Sequence, residues 1–102
     1  MAIGPGKADL LEAIGRTGSI SAAGREMGMS YRRAWLLVEA INASFKRPLV
    51  QTATGGQSGG GASLTPLGEK ALALYRTLEL KADQGVALEL AGLEALLRKS
   101  AK

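Results

Sequence analysis

The chain has 102 residues, 46% apolar and 22% charged, with a formal net charge of +4. That balance fits a single folded domain with a modest core and excludes a disordered chain. It contains no Cys and no His, so disulfides, zinc–thiolate sites and histidine general bases are excluded.

Met1 to Gly6 is a turn-rich entry. A first helix is predicted over 7–16, with Leu10, Leu11 and Ile14 facing inward and Thr17-Gly18 ending it. Ser19 or Ser21 then caps a short helix near 21–27. Gly28 follows it, where a tight turn between helices needs positive φ. Ser30 caps a longer helix over 30–43. A short helix, a glycine turn and a longer helix make a helix-turn-helix pattern.

The longer helix separates its faces. Ala34, Leu37, Val38 and Ile41 form the inward stripe, with Phe45 beyond it. Arg32 lies almost opposite, Arg33 on one shoulder, and Tyr31 and Trp35 on the other. The N-terminal turn of such a helix is the part that reaches base edges in the major groove, where arginine binds guanine or phosphate. Tyr31 is assigned to DNA through its hydroxyl, and Trp35 mainly to packing with an exposed edge. Lys46 and Arg47 add two charges just past the helix end. Residues 1–54 carry seven basic and four acidic groups, against six and five in residues 55–102. The surplus therefore travels with the helix-turn-helix, which suits double-stranded DNA as partner.

Residues 49–52 and 63–64 read as two strands of a hairpin. Between them Thr54, Gly55, Gly56, Gln57 and Ser58 begin a glycine-rich tip. It is no phosphate loop, because no Gly-Lys-Ser/Thr follows, and no βαβ unit supports a dinucleotide site. A wing is the better reading: its backbone N–H groups and its Thr, Gln and Ser side chains can meet phosphates or a minor groove. Ser19, Ser21 and Ser30 complete the candidate DNA contacts.

Thr65 as cap and Pro66 in the first turn start a helix over 66–83, with Leu67, Ala71, Leu74, Leu78 and Ala82 in one stripe and Tyr75 beside it. Beyond Gln84-Gly85, Val86, Leu90, Leu93 and Leu97 repeat at intervals of four, three and four near 86–98. Residues 1–85 are thus expected to form the DNA-binding domain, and 86–102 a dimerising helix. The expected homodimer interface is Val86, Leu90, Leu93 and Leu97, shared with Leu78 and with Leu10 or Leu11.

Gly18-Ser19-Ile20-Ser21 through Ser30-Tyr31 with Ala34-Trp35, followed by the Thr-Gly-Gly…Gly-Gly-Gly-Ala…Leu-Thr run, resembles the N-terminal DNA-binding domain of ModE-type molybdate-responsive repressors. That domain is similar to the winged helix-turn-helix of LysR-type regulators. The match spans about Lys7 to Leu78. It implies a mainly α, dimeric winged helix with a small β-hairpin, the second helix of the motif in the major groove and the wing beside it. Molybdate sensing in that family lies in C-terminal domains, so molybdate binding is not expected from this chain. No cofactor or metal is expected either.

Two other readings compete with a DNA-binding regulator. One is a winged-helix interaction module that does not bind DNA. The other is an enzyme, and it ranks last because the nine carboxylates are scattered along amphipathic helices. No apolar run reaches membrane-spanning length and no secretory leader pattern is present, so a cytoplasmic location is expected.

Overall fold

A computed structural model describes residues 3–53 and 61–97. Helix α1 spans Pro5–Thr17, α2 Ile20–Glu26 and α3 Tyr31–Ser44. Strands β1 (Val50–Ala53) and β2 (Gly61–Leu64) follow, then α4 (Pro66–Gly85) and α5 (Ala87–Leu96). The first three helices pack on one another. The strands form an antiparallel hairpin in which Val50 pairs with Leu64 and Gln51 with Ser63. The architecture is a winged helix-turn-helix, mainly helical, as expected.

Capping explains most of the boundaries. α1 starts two residues before its expected position because Pro5, whose fixed φ suits a first turn, stands at its start. It ends where Gly18 takes φ 72° and donates its N–H to the Ile14 carbonyl at 2.8 Å. Ser19 caps α2, its hydroxyl accepting from the Ala22 N–H at 3.0 Å. Gly28, at φ 70°, supplies the left-handed turn that a side chain would strain. Ser30 then caps α3 by accepting from Arg33 N–H, and Thr65 caps α4 by accepting from Gly68 N–H.

The core lies between α1, α2, α3 and the base of the hairpin. Leu10, Leu11, Ile14, Ile41 and Leu49 are its largest fully buried side chains, and Ala34 and Val38 join them from α3. Leu10 and Leu11 therefore have no surface to give a second copy. Their expected share in a dimer interface is corrected: both are 0% exposed inside the chain's own core.

α4 turns its expected face inward only in part. Leu67, Ala71, Leu72 and Tyr75 pack on the body, whereas Leu74 is 61% and Leu78 48% exposed. The reason is Gly68. A Cβ there would collide with the backbone carbonyl of Leu49, so the contact is centred on a residue without a side chain. Thr65 reinforces it: its N–H donates to the Leu49 carbonyl at 2.9 Å and its hydroxyl to the Pro48 carbonyl at 2.8 Å.

Beyond Tyr75 the chain leaves the body. Arg76 makes the last tie, to Asp9 and Glu12 of α1 (both 2.7 Å) and Glu79 of α4 (3.0 Å). These carboxylates, Asp9 foremost, hold the guanidinium pKa above its ordinary value. Every described residue of α5 is exposed. The radius of gyration is 17.4 Å, against about 13 Å for a compact chain of this length. The difference is the projecting arm.

Candidate nucleic-acid interface

The first turn of α3 presents its side chains outward. Tyr31, Arg32 and Arg33 are exposed and Trp35 is half-buried. Alternation of burial along the helix causes this: Ala34, Val38 and Ile41 anchor one face, which leaves residues 31–33 on the others. Tyr31 and Trp35 meet edge to face, ring centroids 6.1 Å apart and planes at 77°, a favoured aromatic geometry. The contact restricts the Tyr31 ring while leaving that residue 57% exposed.

Charge pairing divides the cations. Arg16 grips Glu26 through two hydrogen bonds of 2.6 and 2.9 Å, which tie α1 to the end of α2. The bond from Arg16 lowers the Glu26 pKa. Arg76 is held by three carboxylates, and Arg25 donates to the Ser21 hydroxyl at 3.0 Å. By contrast, Arg32, Arg33, Lys46 and Arg47 are exposed and form no ion pair with any of the described residues. Lys70 and Lys81 of α4 are likewise exposed and outside these ion pairs, so position on and beside α3 sets the four apart.

The four do not form one cluster. Arg32 and Arg33 stand at the start of α3, and Lys46 and Arg47 follow its end, roughly 20 Å away at the helical rise. Arg47 lines a shallow depression with Pro48, Gln51, Thr65, Pro66 and Leu67, beside the first turn of α4. Ser19 and Ser30 spend their hydroxyl acceptors on capping, and Ser21 accepts from Arg25. Thr54, Gly55, Gly56, Gln57 and Ser58 lie outside the described residues. On the hairpin itself Gln51 and Thr52 are exposed, and the Gln51 amide donates to the Ser63 hydroxyl at 3.3 Å.

Sequence reasoning did not single out Asn42. Its side-chain oxygen accepts from Leu49 N–H (2.9 Å) and Val50 N–H (3.1 Å), and its amide donates to the Val50 carbonyl (3.1 Å). A polar residue at the end of an otherwise apolar stripe was the available signal.

Comparison with known proteins agrees with this arrangement. The model of the bacterial regulatory helix-turn-helix proteins of the lysR family matches residues 7–69. The molybdenum-pterin-binding protein MopB of Rhodobacter capsulatus is 50% identical over 95 residues, covering 93% of this chain and 34% of MopB. The molybdenum transport protein ModE of Herbaspirillum seropedicae is 44% identical over 70 residues, covering 69% of this chain and 26% of ModE. The chain thus spans about a third or less of the length of these relatives. Among solved structures, the CbnR_DBD–DNA complex superposes with a TM-score of 0.66 at 21% identity, over 88% of this chain and 99% of that one, which supports the fold. With the matched model reaching from α1 into the first turn of α4, the chain belongs to the lysR family of bacterial regulatory helix-turn-helix proteins, and its winged helix is homologous to the N-terminal domain of ModE.

Proposed function

We propose that this chain is a sequence-specific DNA-binding transcriptional regulator. The observation that carries the reading is where exposed, unpaired cations stand: Arg32 and Arg33 occupy the outward first turn of α3, and Lys46 and Arg47 follow its end beside the hairpin. Unpaired surface cations at the start of a second helix suit base edges and phosphates. The similar ModE of Haemophilus influenzae is named a transcriptional regulator, and the solved structure of like fold is a complex with DNA. Regulation rather than enzymology is the family's business, and the site offers a surface, not a catalytic cleft. The start of α3 would enter the major groove. Lys46, Arg47 and the hairpin would follow the backbone or the minor groove.

The active form would be a homodimer joined through the projecting arm, where Leu78, Val86, Leu90, Leu93 and Leu97 are exposed. Among the described residues no helix is long and apolar enough to cross a membrane, and a cytoplasmic site of action goes with the proposed regulator. The molybdenum chemistry in the relatives' names is not transferred to this chain.

Selection of binding sites from random duplex DNA with the purified protein tests the reading. A two-fold symmetric site is the expected result, and no enrichment at low salt would overturn it. On the selected duplex, Arg32→Ala should cost about 1–3 kcal/mol and relax one base position, while Lys46→Ala weakens all sequences alike. If both lower affinity uniformly, Arg32 does not read a base.

A further inference from the structure

The hairpin is gripped on both edges. On the β2 side, Ala62 N–H donates to the Gly18 carbonyl at 2.9 Å, so the turn between α1 and α2 backs that strand. On the β1 side there is no further strand among the described residues. The Asn42 carboxamide stands there instead. It satisfies both the N–H and the carbonyl of Val50 and also takes the N–H of Leu49.

A carboxamide is the side-chain group that most resembles a peptide: a carbonyl oxygen that accepts and an amide nitrogen that donates, a short distance apart and coplanar. Asn42 thus acts as a one-residue neighbouring strand. Asp in its place would still accept from both N–H groups but would set a negative oxygen against the Val50 carbonyl. Ala would leave half-buried backbone groups of β1 unpartnered, which is costly.

Asn42 belongs to α3, the helix that carries Tyr31, Arg32 and Arg33. We infer that Asn42 is the positioning residue that fixes the wing relative to the recognition helix, so that both meet one DNA duplex in a set register. The inference rests on the DNA-binding reading above. Asn42 itself need not touch DNA, and its effect on affinity runs through the hairpin.

Hydroxyl-radical footprinting on the selected duplex separates this role from plain stability. A chain with residues 54–60 replaced by Asn-Gly, a favoured two-residue hairpin turn, identifies the protections that belong to the wing. Asn42→Ala should lose those same protections, keep the ones due to α3, and bind on the order of tenfold more weakly. Asn42→Asp, which preserves two of the three hydrogen bonds, should show the same pattern and carries the test if Asn42→Ala does not fold. Loss of all protections in proportion, or no change in either variant, would overturn the inference. So would unfolding of both variants, which would make Asn42 a stability residue. Failure of the wild-type chain to bind any duplex would instead overturn the DNA-binding reading and the inference with it.

Discussion

Leu10 and Leu90 are the same side chain in helices of the same molecule, yet one is 0% and the other 48% exposed. The body, up to Tyr75, buries Leu10, Leu11 and Leu49 among its helices and hairpin, while Leu36 and Leu74 stay on its surface. The arm leaves every one of its described leucines exposed. Burial of a leucine stabilises by roughly 1.5–3 kcal/mol, so the body holds itself together and the arm asks for a partner. Stability thus belongs to the body, and in the proposed dimer assembly would belong to the arm.

The widest gap should appear between those two leucines. Leu10→Ala removes packing from a filled core and should cost about 2–5 kcal/mol in urea denaturation. Leu90→Glu should leave the body folded and reduce the mass seen by light scattering at micromolar concentration. If Leu90→Glu unfolds the body, the two regions are not independent and the contrast fails.

Gly68→Ala should come next, at about 2–3 kcal/mol, because the Leu49 backbone cannot yield without moving the hairpin. A neutral result in thermal denaturation would show that α4 can pivot there freely. Arg76→Ala should be smaller, about 1 kcal/mol, since its side chain is 33% exposed and solvent screens the network. Its signature should be faster amide exchange from residue 76 to 85, where the body ends and the arm begins.

The smallest effect should belong to Glu26. Its pKa is lowered, first by the hydrogen bond from Arg16. A carboxyl with a lowered folded pKa stabilises fully above its unfolded value, and that stabilisation disappears as pH falls through the folded one. Glu26→Gln should therefore lower the urea midpoint slightly at neutral pH, leave it nearly unchanged at acid pH, and so flatten a shallow acid-side decline. An unchanged acid profile would mean that the clasp between α1 and α2 contributes nothing measurable.

How far the sequence could be read differs between these regions for physical reasons. Ser19, Ser30, Thr65 and Gly28 were legible because caps and turns are local: the residue and the group it serves lie within a few positions. The core face of α3 was legible because the side chains that pack there are apolar and periodic. The face of α4 was legible only in part: Leu67, Ala71 and Tyr75 lie inward, but Leu74 and Leu78 do not, because a hydrophobic pattern marks side chains and the closest contact is made at Gly68, which has none. Leu10 and Leu11 show the opposite error: an apolar residue announces burial but not whether its own chain or another supplies the cover. Within the interface, Tyr31, Arg32 and Arg33 followed from helical geometry. The separation of Arg32 from Lys46 by the length of α3 follows once that helix is placed. Asn42 stayed hidden because its partners are backbone groups seven and eight residues away, and backbone leaves no mark in composition.

The contact of Gly68 and Thr65 with Pro48-Leu49 also acts as the bearing of a lever. α4 is 20 residues long, about 30 Å at the helical rise. A tilt of roughly 10° at that bearing would move the far end of α4 by about 5 Å, more than the 3.4 Å step between base pairs. In the proposed dimer, two such levers meet at their far ends and two recognition helices hang from the near ones. The spacing of the half-sites on DNA would then be set by the seat of α4 on the body, from Gly68 to the Arg76 clasp, far from any base.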